Sequence, residues 1–145
     1  MSVELILSRL RTFLLGFSAF LCVGTIAELA FIGHWGNPLQ ILPFVLCALG
    51  LAAIVMFFRK ANQRNLNILR WVMVLNFVGS IFGVFEHIEE NINFALEIKP
   101  STAGLDLILK GLGGANPLLA PGMLAIAALL VFAAIYYHPA KSVTA

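Results

Sequence analysis

Three glutamates and two histidines stand out in this sequence because their side chains could bind a metal ion or carry a proton. They are Glu28, His34, Glu86, His87 and Glu90. Carboxylates and imidazoles are ligands that Zn, Fe, Mn and Cu accept in proteins, so a site for one of these transition metals is one interpretation. A path for protons or cations is another. The Glu-x-x-His spacing of di-iron helical bundles is absent, since the order here is His87-x-x-Glu90.

The elements that must position these side chains are predicted to be helices that cross a membrane. The chain has 145 residues, of which 61% are hydrophobic and 11% are charged, whereas soluble domains carry roughly 25% charged residues. A single domain of this length cannot bury so much apolar surface, so lipid must cover its outer faces. A backbone inside hydrocarbon must satisfy its own hydrogen bonds, and helices do so.

Four apolar stretches predict an all-α polytopic membrane protein, a single membrane domain of residues 1–145 with four transmembrane helices packed as a bundle. The predicted helices cover about 5–35, 38–60, 66–92 and 117–138. Each is close to the ~20 residues that span a bilayer. Asn37-Pro38 and Asn116-Pro117 are each typical of a helix start, with a capping side chain before a proline at the first helical position.

The connection between the third and fourth helices, about residues 93–116, is long enough to hold structure of its own. Apolar residues recur in it at helical spacing and two glycines follow: Leu105, Ile108, Leu109 and Leu112, then Gly113-Gly114. This pattern predicts a short amphipathic helix with a glycine stop. We expect that helix to lie on the outer membrane surface or to cap the bundle.

Basic residues are divided unequally between the two sides of a four-span arrangement. Lys99 and Lys110 lie on one side. The other side carries Arg9, Arg11, Arg59, Lys60, Arg64, Arg70 and Lys141. Because cytoplasmic loops are enriched in lysine and arginine, both chain ends are predicted to be cytoplasmic. The long loop then lies on the outer side.

The rise of a helix predicts that the candidate ligands share one depth. Glu28 follows Arg11 by seventeen residues, and Glu86 follows Arg70 by sixteen. These separations correspond to about 26 and 24 Å along a helix. With both arginines at the inner interface, the two glutamates reach nearly the same outer level. The other three candidates are predicted near this level or somewhat further out.

Three interpretations of this cluster stay open. It binds a metal or cofactor, it forms part of a proton or ion path, or its acids are simply polar helix ends that face water, Lys99 and Lys110. Haem is a variant of the first interpretation, since His34 and His87 are predicted on the same side. His138, at the cytoplasmic end, is interpreted as an interfacial polar residue.

Small residues on the third helix predict close helix packing. Gly79-x-x-x-Gly83, with Asn76 and Ser80 nearby, suits either contacts inside the bundle or contacts with a partner subunit or a second copy. Cys22 and Cys47 are predicted at a shared depth. A redox or copper-binding thiol pair would need them adjacent and reachable from solvent; otherwise they are small packing residues.

A further set of motifs runs from Glu28 to Pro139. It comprises Glu28 and His34, then His87, Asn91, Phe94 and Glu97, then Pro100-Ser101, Leu119-Ala120-Pro121-Gly122 and His138-Pro139. In these motifs the chain resembles an uncharacterised family of small bacterial four-helix integral membrane proteins with no established activity. The resemblance implies the four-helix architecture and implies no function.

The sequence favours a non-enzymatic role. It contains no phosphate-binding glycine loop, no nucleophile elbow, no Cys-x-x-Cys and no HExxH. The first hypothesis is an accessory or assembly subunit of a larger complex in the bacterial inner membrane, with other membrane subunits or further copies as partners besides the lipid bilayer. No nucleic-acid partner is predicted. The alternative is a metal- or cofactor-binding membrane protein in transport or redox work. An ion or proton conductor is the third.

Overall fold

The computed structural model describes residues 2–139, which fold as an all-helical chain. The five helices are α1 (Val3–Phe31), α2 (Pro38–Arg59), α3 (Gln63–Ile98), α4 (Gly104–Gly113) and α5 (Leu119–Ile135). The all-α prediction is therefore confirmed. Helix α4 lies in the connection between α3 and α5, and its predicted place on the outer side of a four-helix membrane bundle stays a prediction. Lys141 and the C-terminal end, which entered the orientation prediction, lie outside the described residues.

Three of these helices are long and apolar enough to cross a membrane, namely α1, α2 and α3. Helix α5 is equally apolar but has 17 residues, about 26 Å of helix against the ~30 Å of a hydrocarbon layer. The structure thus supports membrane-spanning helices, with three candidates rather than four by length and composition within residues 2–139.

Side-chain caps begin the first three helices. The Ser2 hydroxyl accepts from the Leu5 amide at 3.3 Å, and the Asn62 side chain likewise begins α3. Asn37 accepts from the Gln40 amide at 3.1 Å with Pro38 at the first helical position, so the predicted start of α2 is confirmed. Such a cap satisfies one of the amides that a helix start leaves without a partner.

The predicted cap at Asn116 is wrong. Helix α5 begins later, at Leu119, and has no side-chain cap. The Asn116 side chain instead donates to the Glu90 carboxylate at 3.1 Å, and its backbone is bound by Asn91. Contacts with α3 have therefore drawn Asn116 away from the capping role that its sequence neighbour Pro117 suggested.

Helix α3 is longer than predicted. It extends from Gln63 to Ile98 as 36 residues, about 54 Å, instead of stopping near residue 92. The polar segment after Phe85 continues the helix because its glutamates, alanine and leucine are good helix formers. Lys99 is the C-terminal cap of α3, and Pro100, which cannot continue a helix, follows.

Helices α1, α2, α3 and α5 pack as a ring. Helix α1 packs against α2 and α5, and α3 packs against the same two helices, so α1 and α3 lie on opposite sides. Connections of a few residues, 32–37 and 60–62, join the first three helices. Helix α4 packs against α3. Large apolar side chains cover the outside of the ring, several of them about two-thirds exposed: Phe13, Phe20, Trp71 and Phe85.

Glycines and serines bring these helices close together. A methyl group at Gly79 would clash with the Leu46 side chain of α2, and one at Gly83 would lie 2.8 Å from Cβ of Pro121 on α5. Ser80 donates to the Pro121 carbonyl at 2.8 Å. The Gly-x-x-x-Gly pattern therefore serves packing inside the chain, the first of its two interpretations.

Candidate functional site

A cavity of about 310 Å³ lies at the end of the ring where α2 and α5 begin. All five residues that the sequence singled out line it: Glu28, His34, Glu86, His87 and Glu90. Glu28 comes from the last turns of α1, His34 from the connection to α2, and the other three from α3. Side chains from three separate elements thus line one cavity, and their common depth in a membrane stays a prediction.

The segment before α5 forms one wall of the cavity and is tied to α3. Nδ1 of His87 lies 3.0 Å from the carbonyl oxygen of Pro117. Because a carbonyl only accepts, Nδ1 must carry the proton in this contact, and Nε2 of the neutral ring is then an acceptor. Glu90 Oε2 accepts from the Asn116 amide at 3.1 Å. Two of the five candidates are therefore fixed in orientation by the loop.

Asn91 holds this loop in place. Its Nδ2 donates to the carbonyl oxygens of Gly111 and Asn116, each at 3.0 Å, and its Oδ1 accepts from the Asn116 backbone amide at 2.8 Å. Asn91 is 2% exposed. The sequence did not predict that Asn91 binds Asn116. Its only indication was that an asparagine stands at each end of the long segment between them.

The cavity is acidic and partly apolar. Its lining includes three carboxylates and no lysine or arginine. Lys99 and Lys110, which were considered as partners for these acids, are exposed and are not among the lining residues. The remaining wall includes large apolar side chains from four helices, namely Leu29, Leu42, Phe82 and Leu124. Negative charge beside apolar wall favours a ligand that is positively charged and partly apolar.

The five candidates do not converge at metal-binding distance. Within residues 2–139, no group of three or more histidine, cysteine, aspartate or glutamate side chains is close enough to hold a metal ion. The structure therefore brings Glu28, His34, Glu86, His87 and Glu90 to one cavity without bringing them to one point. A Zn, Fe, Mn or Cu site formed by these residues stays a prediction.

Helix α4 packs beside the cavity and turns its apolar side away from the protein. Gly111 is buried against Ile88 and Ile92 of α3, where a methyl group would lie 2.9 Å from Ile92. The apolar residues that predicted this helix are more than half exposed: Leu105, Ile108, Leu109 and Leu112. An exposed apolar stripe of this kind is typical of a surface that meets lipid or another protein.

A larger groove of about 740 Å³ lies at the other end of the ring, between α3 and α5. It is lined by Arg70, Trp71, Tyr136 and Tyr137 among others. Interfacial aromatic residues beside an arginine are the usual surroundings of lipid headgroups. This groove holds none of the five candidate residues, so the smaller cavity is the better candidate site.

The two cysteines lie just below the cavity. Cys22 and Cys47 are free thiols, and both are buried. They pack in one cluster with Leu46 and Leu124, which also line the cavity. A functional thiol pair would need adjacent, solvent-accessible sulfur atoms; the two thiols share one packed cluster, and both are buried.

Comparison of the chain with protein-family models, with curated proteins and with solved structures gave no match.

Proposed function

We propose that this chain is a membrane protein that binds a small, positively charged ligand in the cavity lined by Glu28, Glu86 and Glu90. The observation that carries this proposal is the lining itself, which contains three carboxylates and no basic side chain apart from two histidines. A cationic group is attracted to this charge, and the apolar wall accommodates an apolar body.

The proposed setting is a bacterial inner membrane crossed four times. Helix α5, although short, packs between α1 and α3, which supports its role as a fourth span. The excess of arginine on one side supports cytoplasmic chain ends. The cavity then opens to the outer side, and α4 lies in the outer interface with its apolar stripe in lipid.

The size of the cavity favours an organic cation over a bare metal ion. A metal ion needs its ligands at about 2.0–2.6 Å, whereas the side chains here surround about 310 Å³. A primary amine with an aromatic or branched apolar body matches both the volume and the two kinds of wall. Nε2 of His87 adds one acceptor for an ammonium hydrogen.

Binding of phenethylammonium to the full chain in detergent tests the proposal, with uncharged phenethyl alcohol as the matched ligand. We expect the cation to bind more tightly than the alcohol. Glu86→Gln should weaken cation binding by about tenfold, equivalent to about 1.4 kcal/mol, and leave alcohol binding unchanged. Glu89→Gln is the control, because Glu89 is an exposed neighbour on α3 outside the lining.

Equal affinity for the cation and the alcohol, or equal effects of Glu86→Gln and Glu89→Gln, would overturn this proposal. A parallel titration with Zn²⁺ examines the metal alternative. Tight Zn²⁺ binding that is lost in both Glu86→Ala and His87→Ala would replace the organic cation by a metal ion.

Labelling of single cysteines tests the proposed orientation. Starting from a variant with both natural cysteines changed to alanine, one cysteine is placed at exposed Ser2 and another at exposed Ser101. A membrane-impermeant maleimide added to intact cells should label Ser101→Cys and not Ser2→Cys. The reverse pattern would contradict cytoplasmic chain ends.

A second proposal is that the chain is an accessory or assembly subunit of a larger membrane complex. The exposed apolar stripe of α4 supports it, since a partner protein would cover the same four side chains as lipid does. Native mass spectrometry after gentle extraction tests it. Additional protein mass is expected, and the mass of the single chain alone would contradict the proposal.

A further inference from the structure

A group of sulfur and amide side chains lies in the interior of the ring around Gly50 of α2. Cys22 comes from α1, Cys47 from α2, and Met73 and Asn76 from α3. Each of these four side chains is 2% exposed or less. Three of the four side chains contain sulfur, so soft donors from α1, α2 and α3 lie in the same part of the interior.

Distances from Gly50 define this group. A methyl group built on Gly50 would lie 3.3 Å from Cε of Met73, 3.6 Å from Sγ of Cys22 and 3.7 Å from Nδ2 of Asn76. Cys22 and Cys47 pack in one cluster of buried side chains. The missing side chain of Gly50 therefore lets the thiol of Cys22 on α1 and the Met73 and Asn76 side chains of α3 approach α2 closely.

One polar atom of this group has no hydrogen-bond partner. Nδ2 of Asn76 donates to the carbonyl oxygens of Leu46 and Val72, at 3.2 and 2.9 Å. Oδ1 of the same amide is buried and accepts no hydrogen bond from the described residues. A buried acceptor left without a partner is costly, and it belongs to a side chain whose Nδ2 lies beside Gly50.

We propose that Cys22, Cys47 and Met73 form a binding site for a soft monovalent d¹⁰ cation, with Cu(I) as the representative ion. Thiolate and thioether ligands select Cu(I) over harder ions. The binding step is balanced by one proton: Cu⁺ bonds to one cysteine sulfur as its thiol proton leaves to solvent. The second thiol and the thioether of Met73 coordinate without charge.

Electrostatics supports this ligand set. One thiolate and one Cu⁺ sum to zero charge, and uncompensated charge inside a bilayer is expensive. A divalent ion would reach zero charge only if both thiols lost their protons. A monovalent cation needs the loss of one proton, and the softness of sulfur favours Cu(I) or its heavier congener Ag(I).

The acidic cavity provides an entry route. Leu46 and Leu124 belong both to the cavity lining and to the packed cluster that contains Cys22 and Cys47. Thr25, which also lines the cavity, lies one turn from Cys22 on α1. An ion attracted by the carboxylates needs to pass only this one layer of side chains to reach the thiols.

Cu(I) titration of the full, reduced chain in detergent, in competition with a chromophoric Cu(I) chelator, tests the site. One Cu(I) per chain is expected. Cys47→Ala and Met73→Leu should each weaken binding by at least about tenfold, a loss that is usual even for residues that only support a metal ligand. Met56→Leu on α2 is the control, because Met56 is exposed.

X-ray absorption of the Cu(I)-loaded wild-type protein keeps the test decisive if a variant fails to fold. Sulfur neighbours of copper are expected. Nitrogen or oxygen neighbours alone would assign copper to the acidic cavity and overturn the thiol site. Equal affinity of wild type, Cys47→Ala and Met73→Leu would also overturn it. Neither the Cu(I) titration nor the X-ray absorption spectrum depends on phenethylammonium binding. Failure of the cavity proposal can therefore be distinguished from failure of the copper site.

Discussion

The side chain of Asn91 on α3 binds both backbone groups of Asn116, in the loop before α5. The side chain of Asn91 donates to the Asn116 carbonyl at 3.0 Å and accepts from the Asn116 backbone amide at 2.8 Å. A single buried side chain on a long helix thereby replaces the backbone pairing that an irregular segment lacks. The cavity wall formed by residues 116–117 depends on this pair.

Asn91→Ala should release the loop. It removes three hydrogen bonds and leaves the backbone groups of Asn116 and Gly111 without partners, so we expect a loss of about 1–3 kcal/mol in stability. Hydrogen exchange of amides 104–118 should accelerate in this variant. Asn93→Ala, at an exposed position of α3, is the control, and matching exchange in the two variants would contradict the role of Asn91.

Gly83→Ala should destabilise the chain. Its new methyl group would lie 2.8 Å from the ring of Pro121, which cannot rotate away, and overpacking of this kind costs about 1–3 kcal/mol. Gly24→Ala on α1 meets nothing within 4 Å and should be neutral or stabilise by about 0.5–1 kcal/mol through helix propensity. Thermal unfolding in detergent compares the two, and a tolerated Gly83→Ala would refute the close approach of α3 and α5.

His138 should make stability depend on pH. Burial, and secondarily the positive charge of Arg11, hold its pKa below the ordinary value of 6.5. Its Nδ1 is buried without a partner among the described residues, so the protonated ring would leave a donor unsatisfied. The unfolded chain therefore binds the proton more readily than the folded chain does.

This difference in proton affinity between the unfolded and the folded chain sets the direction in which stability changes with pH. The stability contribution of neutral His138 is complete above about pH 6.5 and decreases as the pH falls toward its lowered pKa. Melting temperature measured between about pH 5 and 8 should fall on the acidic side, and less steeply in His138→Gln. Parallel profiles for wild type and His138→Gln would show that other groups determine the pH dependence.

Arg11→Gln should loosen the end of α5. Nη2 of Arg11 donates to the carbonyl oxygens of Tyr136 and Tyr137 at 3.3 and 3.2 Å, and Tyr137 has the left-handed φ of 47° that costs energy for a residue with a side chain. Because the contact is exposed, we expect a loss of only about 0.5–1 kcal/mol. Chemical denaturation measures it.

The same variant should raise the pKa of His138, since it removes the positive charge that helps to lower that pKa. Titration of the His138 ring by NMR checks this shift. Arg11→Lys keeps the charge and should leave the pKa of His138 nearly unchanged while losing the two-carbonyl contact. If neither variant changed the pKa of His138, the positive charge of Arg11 would not contribute to that pKa.

The sequence was sufficient for the all-α class and for most boundaries of the first three helices. For the majority of the ends of α1, α2 and α3, hydropathy predicted the boundary to within a few residues. The fixed rise per residue of a helix, counted from Arg11 and Arg70, predicted nearly the same level for Glu28 and Glu86. The amphipathic spacing located α4. These features depend on local composition and on helix geometry, and both can be read from the chain alone.

Rotation and termination of the helices could not be read in this way. Lipid and protein interior are equally apolar, so the pattern of a membrane helix says little about which side faces its neighbours. That choice follows from contacts such as Gly83 with Pro121 and Gly111 with Ile92. The role of Asn116 before α5 depends on pairing with Glu90 and Asn91, more than twenty positions away, which no local pattern encodes.

The short length of α5 has a consequence for the lipid around the protein. In the proposed role of α5 as a fourth span, its 17 residues extend about 26 Å, a few ångströms less than a hydrocarbon layer of about 30 Å. Such hydrophobic mismatch is relieved by local thinning of the bilayer, at a fraction of a kcal/mol per ångström. Lipids beside α5 would then have compressed chains, and the protein would partition preferentially into bilayers of shorter-chain lipids.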